Sequence, residues 1–260
     1  MRRIAFINEK GGTCKTTLCV HVGAWLASAH GLRVLVADLD TQGHAGKSLG
    51  VDVRRLSPTV NDWLAGGASF EAVVRRTPVP GLDLAPANKE LAGFPVAVAA
   101  SPDRSERLAR RLDALGEDRY DAVLIDAPPS RSLVTENVLI AARELVVPVA
   151  VTYLALDGCA EILASLETLR SERGRAPELS LVVPALYRKT QLADEILEKL
   201  RERFGSRVSR TVLGWSVKVD EAQSHGRTVF EHAPRSSGAR ALAAIADEVL
   251  ELSGRERLAG

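Results

Sequence analysis

Cysteine is scarce in this 260-residue chain, which has only Cys14, Cys19 and Cys159. None of them belongs to a C-x-x-C pair, so neither a disulfide framework nor a zinc ribbon is indicated. No apolar run approaches the roughly 18 residues that a bilayer span needs. No secretory leader precedes the first apolar segment. The sequence therefore predicts a cytoplasmic protein. Charge of one sign is also missing: 34 Lys and Arg stand against 33 Asp and Glu. That balance excludes a globally basic nucleic-acid binder and leaves a local basic face open. Internal repeats and low-complexity linkers are absent. What is present is 46% hydrophobic and 26% charged, a globular composition on a chain long enough to bury a sizeable core.

Short β-branched apolar runs alternate with amphipathic stretches along the whole chain. Ile4–Asn8, Arg33–Asp38, Leu82–Ala85, Ala122–Asp126, Glu144–Val149 and Leu179–Pro184 read as buried strands. Several lack polar alternation, as strands of a parallel sheet covered on both faces do. Helices are expected at Thr16–Ala29, Asp103–Leu115, Leu133–Ala142, Leu156–Arg170 and Leu192–Phe204. A last helix aligns Leu242, Ile245, Ala246, Val249 and Leu252 on one stripe. Ser101-Pro102-Asp103 has the composition of a helix start. Gly50–Ser69 and Thr77–Pro80 read as loops inserted within one domain. The expected fold is a doubly wound, mostly parallel α/β sheet with helices on both faces, spanning 1–260 as a single domain. Ligands of such sheets bind beyond the carboxyl ends of the strands.

The segment Asn8-Glu9-Lys10-Gly11-Gly12-Thr13-Cys14-Lys15-Thr16-Thr17 leaves the first strand and opens the first helix. Its paired glycines let backbone wrap an oxyanion, and the new helix aims its N–H groups at the same point. Lys15 can neutralise β- and γ-phosphates, and the Thr16 hydroxyl is placed for Mg²⁺. A bare glycine-rich turn is the competing reading, but it gives no purpose to the Lys-Thr pair. The general P-loop pattern asks for glycine at positions 9 and 14, where this chain has Glu9 and Cys14. Cys14 can donate its N–H as glycine does if its φ stays negative. The helix N-terminus would then favour an acidified thiol, against the preferred reading of a simple tolerated substitution.

Lys10-Gly11-Gly12-x-x-Lys15-Thr16-Thr17 resembles the deviant Walker A motif of the ParA/MinD group of P-loop ATPases, with Lys10 as its signature lysine. Three further stretches match that group in order: Val34–Gly43, Ala122–Ser130, and Glu221–Arg227 followed by Pro234–Ala239. The last resembles the Soj-like branch. The resemblance covers nearly the whole chain. It implies ATP and Mg²⁺ as ligands and residues Lys10, Gly11, Gly12, Thr13, Cys14, Lys15, Thr16 and Thr17 around the nucleotide. Thr16, Asp40 and Asp126 would serve the metal, Asp38 would support the loop, and Lys10, Lys15 and Asp40 would be catalytic. In such ATPases the signature lysine crosses a sandwich dimer to the partner's phosphates, so Lys10 would act like an arginine finger. Gly11 would lie where the two loops meet.

Charge is uneven along the chain. Residues 170–240 hold 14 Lys and Arg against 9 Asp and Glu. Arg188, Lys189, Lys218, Arg227, Arg235 and Arg240 are candidates for a phosphate-contacting face, which is all that sequence-independent DNA binding needs. The resemblance implies non-specific nucleoid binding by the ATP dimer and a ParB-like or cargo-adaptor partner that stimulates hydrolysis. Trp215 stands where the branch commonly carries arginine. A membrane-cycling reading, similar to MinD, meets Asp247, Glu248 and Glu251 on the last helix, which anionic lipid would repel, and the tail Arg255-Glu256-Arg257-Leu258 is short. Stable membrane anchoring is not expected. A reductase resembling the nitrogenase iron protein lacks suitably placed cysteines, and a small-molecule kinase lacks a convergent acceptor pocket. No helix-turn-helix segment precedes the phosphate loop.

Overall fold

The computed structural model describes residues 1–152 and 155–256. Arg257 and Leu258, half of the tail considered for membrane contact, lie outside the described residues. Eight strands form one sheet: β1 (Arg2–Phe6), β2 (Val34–Asp38), β3 (Arg75–Arg76), β4 (Leu82–Ala85), β5 (Ala122–Asp126), β6 (Glu144–Ala150), β7 (Glu178–Tyr187) and β8 (Leu213–Gly214). Their order is β3-β4-β2-β5-β1-β6-β7-β8. All neighbours run parallel except β3 and β4. The α/β fold and its largely parallel sheet are as the sequence predicts.

Strand alternation divides the core in two. Ile4 and Phe6 of β1 face one side, with Val34, Val36, Leu124 and Leu181. Ala5 and Ile7 face the other, with Leu35, Val123 and Ile125. The first side is covered by α1 (Lys15–His30), α2 (His44–Ser48), α10 (Val217–Ser224), α11 (Val229–His232) and α12 (Ser237–Glu256). The second is covered by α3 (Val60–Ala65), α4 (Phe70–Val73), α5 (Phe94–Ala97), α6 (Arg107–Asp113), α7 (Leu133–Ala141), α8 (Ala155–Arg173) and α9 (Gln191–Phe204). Because both faces are dry, the strands need no polar alternation. The α12 stripe is buried as expected at Leu242, Ile245, Ala246 and Val249.

Some expectations are corrected. The stretch 50–69 is not all loop: Thr59 and Asp62 form a reciprocal capping box that starts α3. Asp103 does not begin a helix; α6 starts at Arg107. The Ser101 hydroxyl accepts from the Arg107 guanidinium at 2.7 Å, and Asp103 pairs with Arg107 and Arg110. Glu248 is not exposed. Its carboxylate turns inward and accepts from the backbone N–H groups of Arg210 and Thr211 at 2.8 and 3.0 Å. Asp247 accepts from the Trp25 indole and contacts His30. Strands β3 and β8, each two residues long, have no counterpart in the sequence reading.

Candidate active site

The carboxyl ends of β2, β5 and β1 lie side by side and deliver the motif residues to one place. Beyond β1, the buried Asn8 anchors the phosphate loop. Its side-chain amide donates to the Pro148 carbonyl at 2.8 Å, and its oxygen accepts from the Lys10 N–H at 3.0 Å. The loop ends at Cys14, and the Leu18 N–H returns to the Cys14 carbonyl as the first helical bond of α1. The N–H groups of Lys15, Thr16 and Thr17 precede that bond and have no partner within the helix, which suits an anion. Gly12 adopts a φ of 70°, which glycine takes without cost.

Cys14 departs from its expected state. Its φ is 69°, in the left-handed region. Its thiol is pushed up to about 11, by burial first and by the charge of Asp220 second, with Lys15 opposing. The structure therefore favours the tolerated substitution over a thiol acidified by the helix N-terminus.

Lys15 is buried, and its ammonium donates to the Lys10 carbonyl at 3.0 Å. Burial lowers its proton affinity, while Asp126 and Asp40 work against that. Thr16 Oγ1 donates to Asp126 Oδ2 at 2.6 Å. Asp38 and Asp126 are register partners on adjacent strands. Asp38 is pushed up to about 7, mainly by burial, although it accepts from the N–H groups of Asp40, Ala45 and Gly46. Those three bonds make it a support for the loop after β2. Asp126 is held well above the carboxylate range by burial and by the nearby Asp38. Asp40 is buried and accepts from the Gln42 N–H at 3.0 Å.

Above Asp38 and Asp126 lies a cavity of about 620 Å³ whose lining includes Gly11 to Thr17, Asp40, Gln42, Lys47, Pro129 and Gln223. Its size suits a nucleotide. The donor set also fits a hard divalent cation. Asp126 Oδ1 is buried and has no hydrogen-bond partner among the described residues, and the Thr16 hydroxyl sits against the same carboxylate. Oxygen donors of this kind, completed by water and phosphate, are what Mg²⁺ takes.

The structure thus brings Gly11, Gly12, Thr13, Cys14, Lys15, Thr16, Thr17 and Asp40 to one cavity, with Asp126 beneath it through Thr16. Lys10 lies at the loop's shoulder, with its carbonyl on Lys15. Gln223 emerges only here: its amide donates to Thr17 Oγ1 and Ser48 Oγ, each at 3.3 Å, joining α10 to α1 and α2. Glu9 emerges too. Arg131 Nε reaches both of its oxygens, at 2.9 and 2.8 Å, and so ties the phosphate loop to the segment after β5. The Glu221–Arg227 motif marks where Gln223 lies, but nothing local marks Lys47 or Arg131.

All six candidate DNA contacts are exposed. Arg188 lies over the Trp215 ring, and Lys189 follows it in the chain. Lys218 sits shortly after Trp215 and pairs with Glu221 at 2.7 Å. Arg235 and Arg240 are joined at the start of α12, where Arg240 Nη1 donates to the Arg235 carbonyl at 2.6 Å. That start abuts the Ser216 end of α10, since a Cβ at Gly238 would meet Ser216 Oγ at 2.6 Å. Arg227 stands beyond the other end of α10. No helix among the described residues is long and apolar enough to cross a membrane.

A family model described as an AAA domain matches residues 1–180. The chain is 42% identical over 253 residues to the chromosome-partitioning ATPase Soj of Thermus thermophilus, covering 96% of each chain. It is 35% identical over 247 residues to the sporulation initiation inhibitor protein Soj of Bacillus subtilis, covering 95% of this chain and 97% of that one. Among solved structures it is similar to cobyrinic acid a,c-diamide synthase from Mycobacterium smegmatis with bound ADP and magnesium. That match has a TM-score of 0.82 and 31% identity, and it covers 96% of this chain and 94% of the other.

Proposed function

Because the chain belongs to the ParA/Soj family of P-loop ATPases, we propose that it is an ATP-hydrolysing switch for chromosome or plasmid partition, or for positioning a related cargo. ATP favours a sandwich dimer that holds nucleoid DNA without sequence preference. Slow hydrolysis, stimulated by a ParB-like or cargo-adaptor partner, releases it. The observation that carries the reading is that Gly11, Lys15, Thr16 and Asp40 line one cavity, with Asp126 bound to the Thr16 hydroxyl beneath it and the Lys10 carbonyl held by Lys15.

Phosphoryl transfer asks a protein mainly for positioning and for charge at the terminal phosphate. Lys15 and the N–H groups of residues 15–17 hold the triphosphate. Thr16, Asp40 and Asp126 would hold Mg²⁺, which would supply positive charge at the phosphates. Asp40, stiffened by the Asp38 hydrogen bonds, orients the attacking water. Lys15 alone is a modest supply of cation, and Lys10 of the partner subunit provides the second. The inward turn of Glu248 removes one acid from the surface of α12, yet Asp247 and Glu251 remain partly exposed there, where anionic lipid would meet them.

Size-exclusion chromatography with light scattering tests the reading. Wild type is expected to be monomeric with ADP and dimeric with a non-hydrolysable ATP analogue. Asp40→Ala should stay dimeric and DNA-bound with ATP itself, and Lys10→Ala should lose about 10³-fold in stimulated turnover, as arginine-finger losses do. An Asp40→Ala protein that remains monomeric and free of DNA with ATP would overturn it.

A further inference from the structure

Among the described residues, four large apolar side chains are strongly exposed, and three of them, Leu192, Trp215 and Val217, flank the carboxyl ends of β7 and β8. Trp215 is 50% exposed. Its backbone is fixed, because its N–H donates to the Tyr187 carbonyl at 3.2 Å. The guanidinium carbon of Arg188 lies 4.8 Å from the centre of its ring. Lys189 follows Arg188 and Lys218 follows Trp215 in the chain, both exposed.

The backbone is distorted to build this arrangement. Leu186 has a φ of 57°, in the left-handed region, and the β7–β8 register shifts between Ala185 and Tyr187. A bulge re-aims the side chains that follow it, and strain of this kind persists where the fold uses it. Here it turns the end of β7 so that Arg188 lies across Trp215.

We propose that Trp215 with Arg188 is a base-stacking platform, and that this face takes single-stranded or locally unstacked DNA in preference to intact duplex. The inference rests on the DNA-binding reading above and adds a contact that the phosphate-neutralising cations do not make. Every base has a π-face, so an exposed indole and a planar guanidinium accept bases without reading sequence, while nearby lysines follow the phosphates. In an intact duplex those faces are stacked on one another and unavailable. Asp194, Asp220 and Glu221 interleave with the cations, and Glu221 holds Lys218, so charge alone draws any polyanion only weakly. The stacking faces, for which an anionic lipid surface offers no partner, carry the preference.

Tryptophan fluorescence reads the site directly. Trp63 is 2% exposed and Trp25 is half-buried, whereas Trp215 is 50% exposed, so the difference between wild type and Trp215→Leu isolates the Trp215 signal. The full chain, with Mg²⁺ and a non-hydrolysable ATP analogue, is titrated with oligo(dT) of about 15 nucleotides, a span typical of such sites, and with a duplex of equal length. Oligo(dT) is expected to bind more tightly and to quench. Trp215→Leu should lose about 10-fold in oligo(dT) affinity and change duplex affinity by less than about twofold, with Trp215→Phe restoring most of the loss. Its salt slope should match wild type, whereas Lys189→Ala should lower the slope by about one. The platform is wrong if Trp215→Leu binds oligo(dT) as wild type does, or if it loses oligo(dT) and duplex equally. It is also wrong if phosphatidylglycerol vesicles quench Trp215 and oligo(dT) does not. A wild-type protein that binds neither form of DNA removes the nucleoid reading itself, a result distinct from the other three.

Discussion

Cys14 holds φ 69° and ψ 24° in the turn that opens α1, at the position where P-loops carry glycine. An L-residue in that region crowds its Cβ against the following carbonyl, at a cost of roughly 1–2 kcal/mol. Its neighbour Gly12 takes a similar φ of 70° without that crowding. The thiol gives little in return chemically, since burial pushes it up to about 11 and leaves it protonated at neutral pH. Cys14→Gly is therefore expected to raise the stability of the nucleotide-free protein by about 1 kcal/mol, the strain relief exceeding glycine's extra chain entropy. Cys14→Ala keeps the Cβ and should give no gain. Urea unfolding midpoints of the three proteins decide it: equal gains from glycine and alanine would place the cost in the sulfur rather than in the backbone.

Among the elements, α1 and α11 are joined through one buried imidazole. His21 Nδ1 bonds the Thr17 carbonyl at 2.7 Å, and Nε2 accepts from the Val229 N–H at 3.0 Å. That pairing needs the neutral ring with its proton on Nδ1. Burial lowers its pKa to about 4 from an ordinary 6.5. Between those values the unfolded chain takes up a proton that the native chain refuses, so stability falls as pH drops through the window, by about 3 kcal/mol in all. His21→Gln should be less stable at pH 7 and lose less between pH 6.5 and 4. Parallel losses in denaturant titrations of the two proteins would assign the acid sensitivity elsewhere. His21 also illustrates what a linear sequence conceals, because its partner Val229 is 208 residues away. The buried strands and the α12 stripe are legible because burial on both faces, or on one stripe, imposes a composition on contiguous residues. The phosphate loop is legible because one strand–turn–helix carries it. Helix α3 is hidden because its six residues hold a single i, i+3, i+4 set, Val60, Trp63 and Leu64, behind a capping box at Thr59 and Asp62, too short a period to stand out from the flanking loops. Strands β3 and β8 are too short to carry any period. Gln223 and Arg131 reach the site across the fold, and the positive φ of Cys14 and Leu186 is imposed by the surrounding packing.

At the scale of the whole molecule, the two glycines of the phosphate loop separate what the protomer needs from what a pair of protomers needs. A Cβ on Gly12 has open space around it but must be carried at a φ of 70°, so alanine there strains the loop within one chain. A Cβ on Gly11 meets no atom within 4 Å, and Gly11 is not among the positive-φ residues. Gly11→Ala should therefore fold and bind ADP as wild type does, with affinity changed by less than about twofold. If two phosphate loops face each other in the ATP-bound dimer, the added methyls enter the interface twice, once from each protomer, by symmetry. Overpacking at a close contact costs about 1–3 kcal/mol, so the dimer should weaken by about 10²-fold. Sedimentation velocity with a non-hydrolysable ATP analogue measures this, with Gly12→Ala as the variant whose nucleotide affinity drops as well. Should Gly11→Ala dimerise as readily as wild type, the protomers meet through some other face, and Lys10 could not reach across to the neighbouring phosphate.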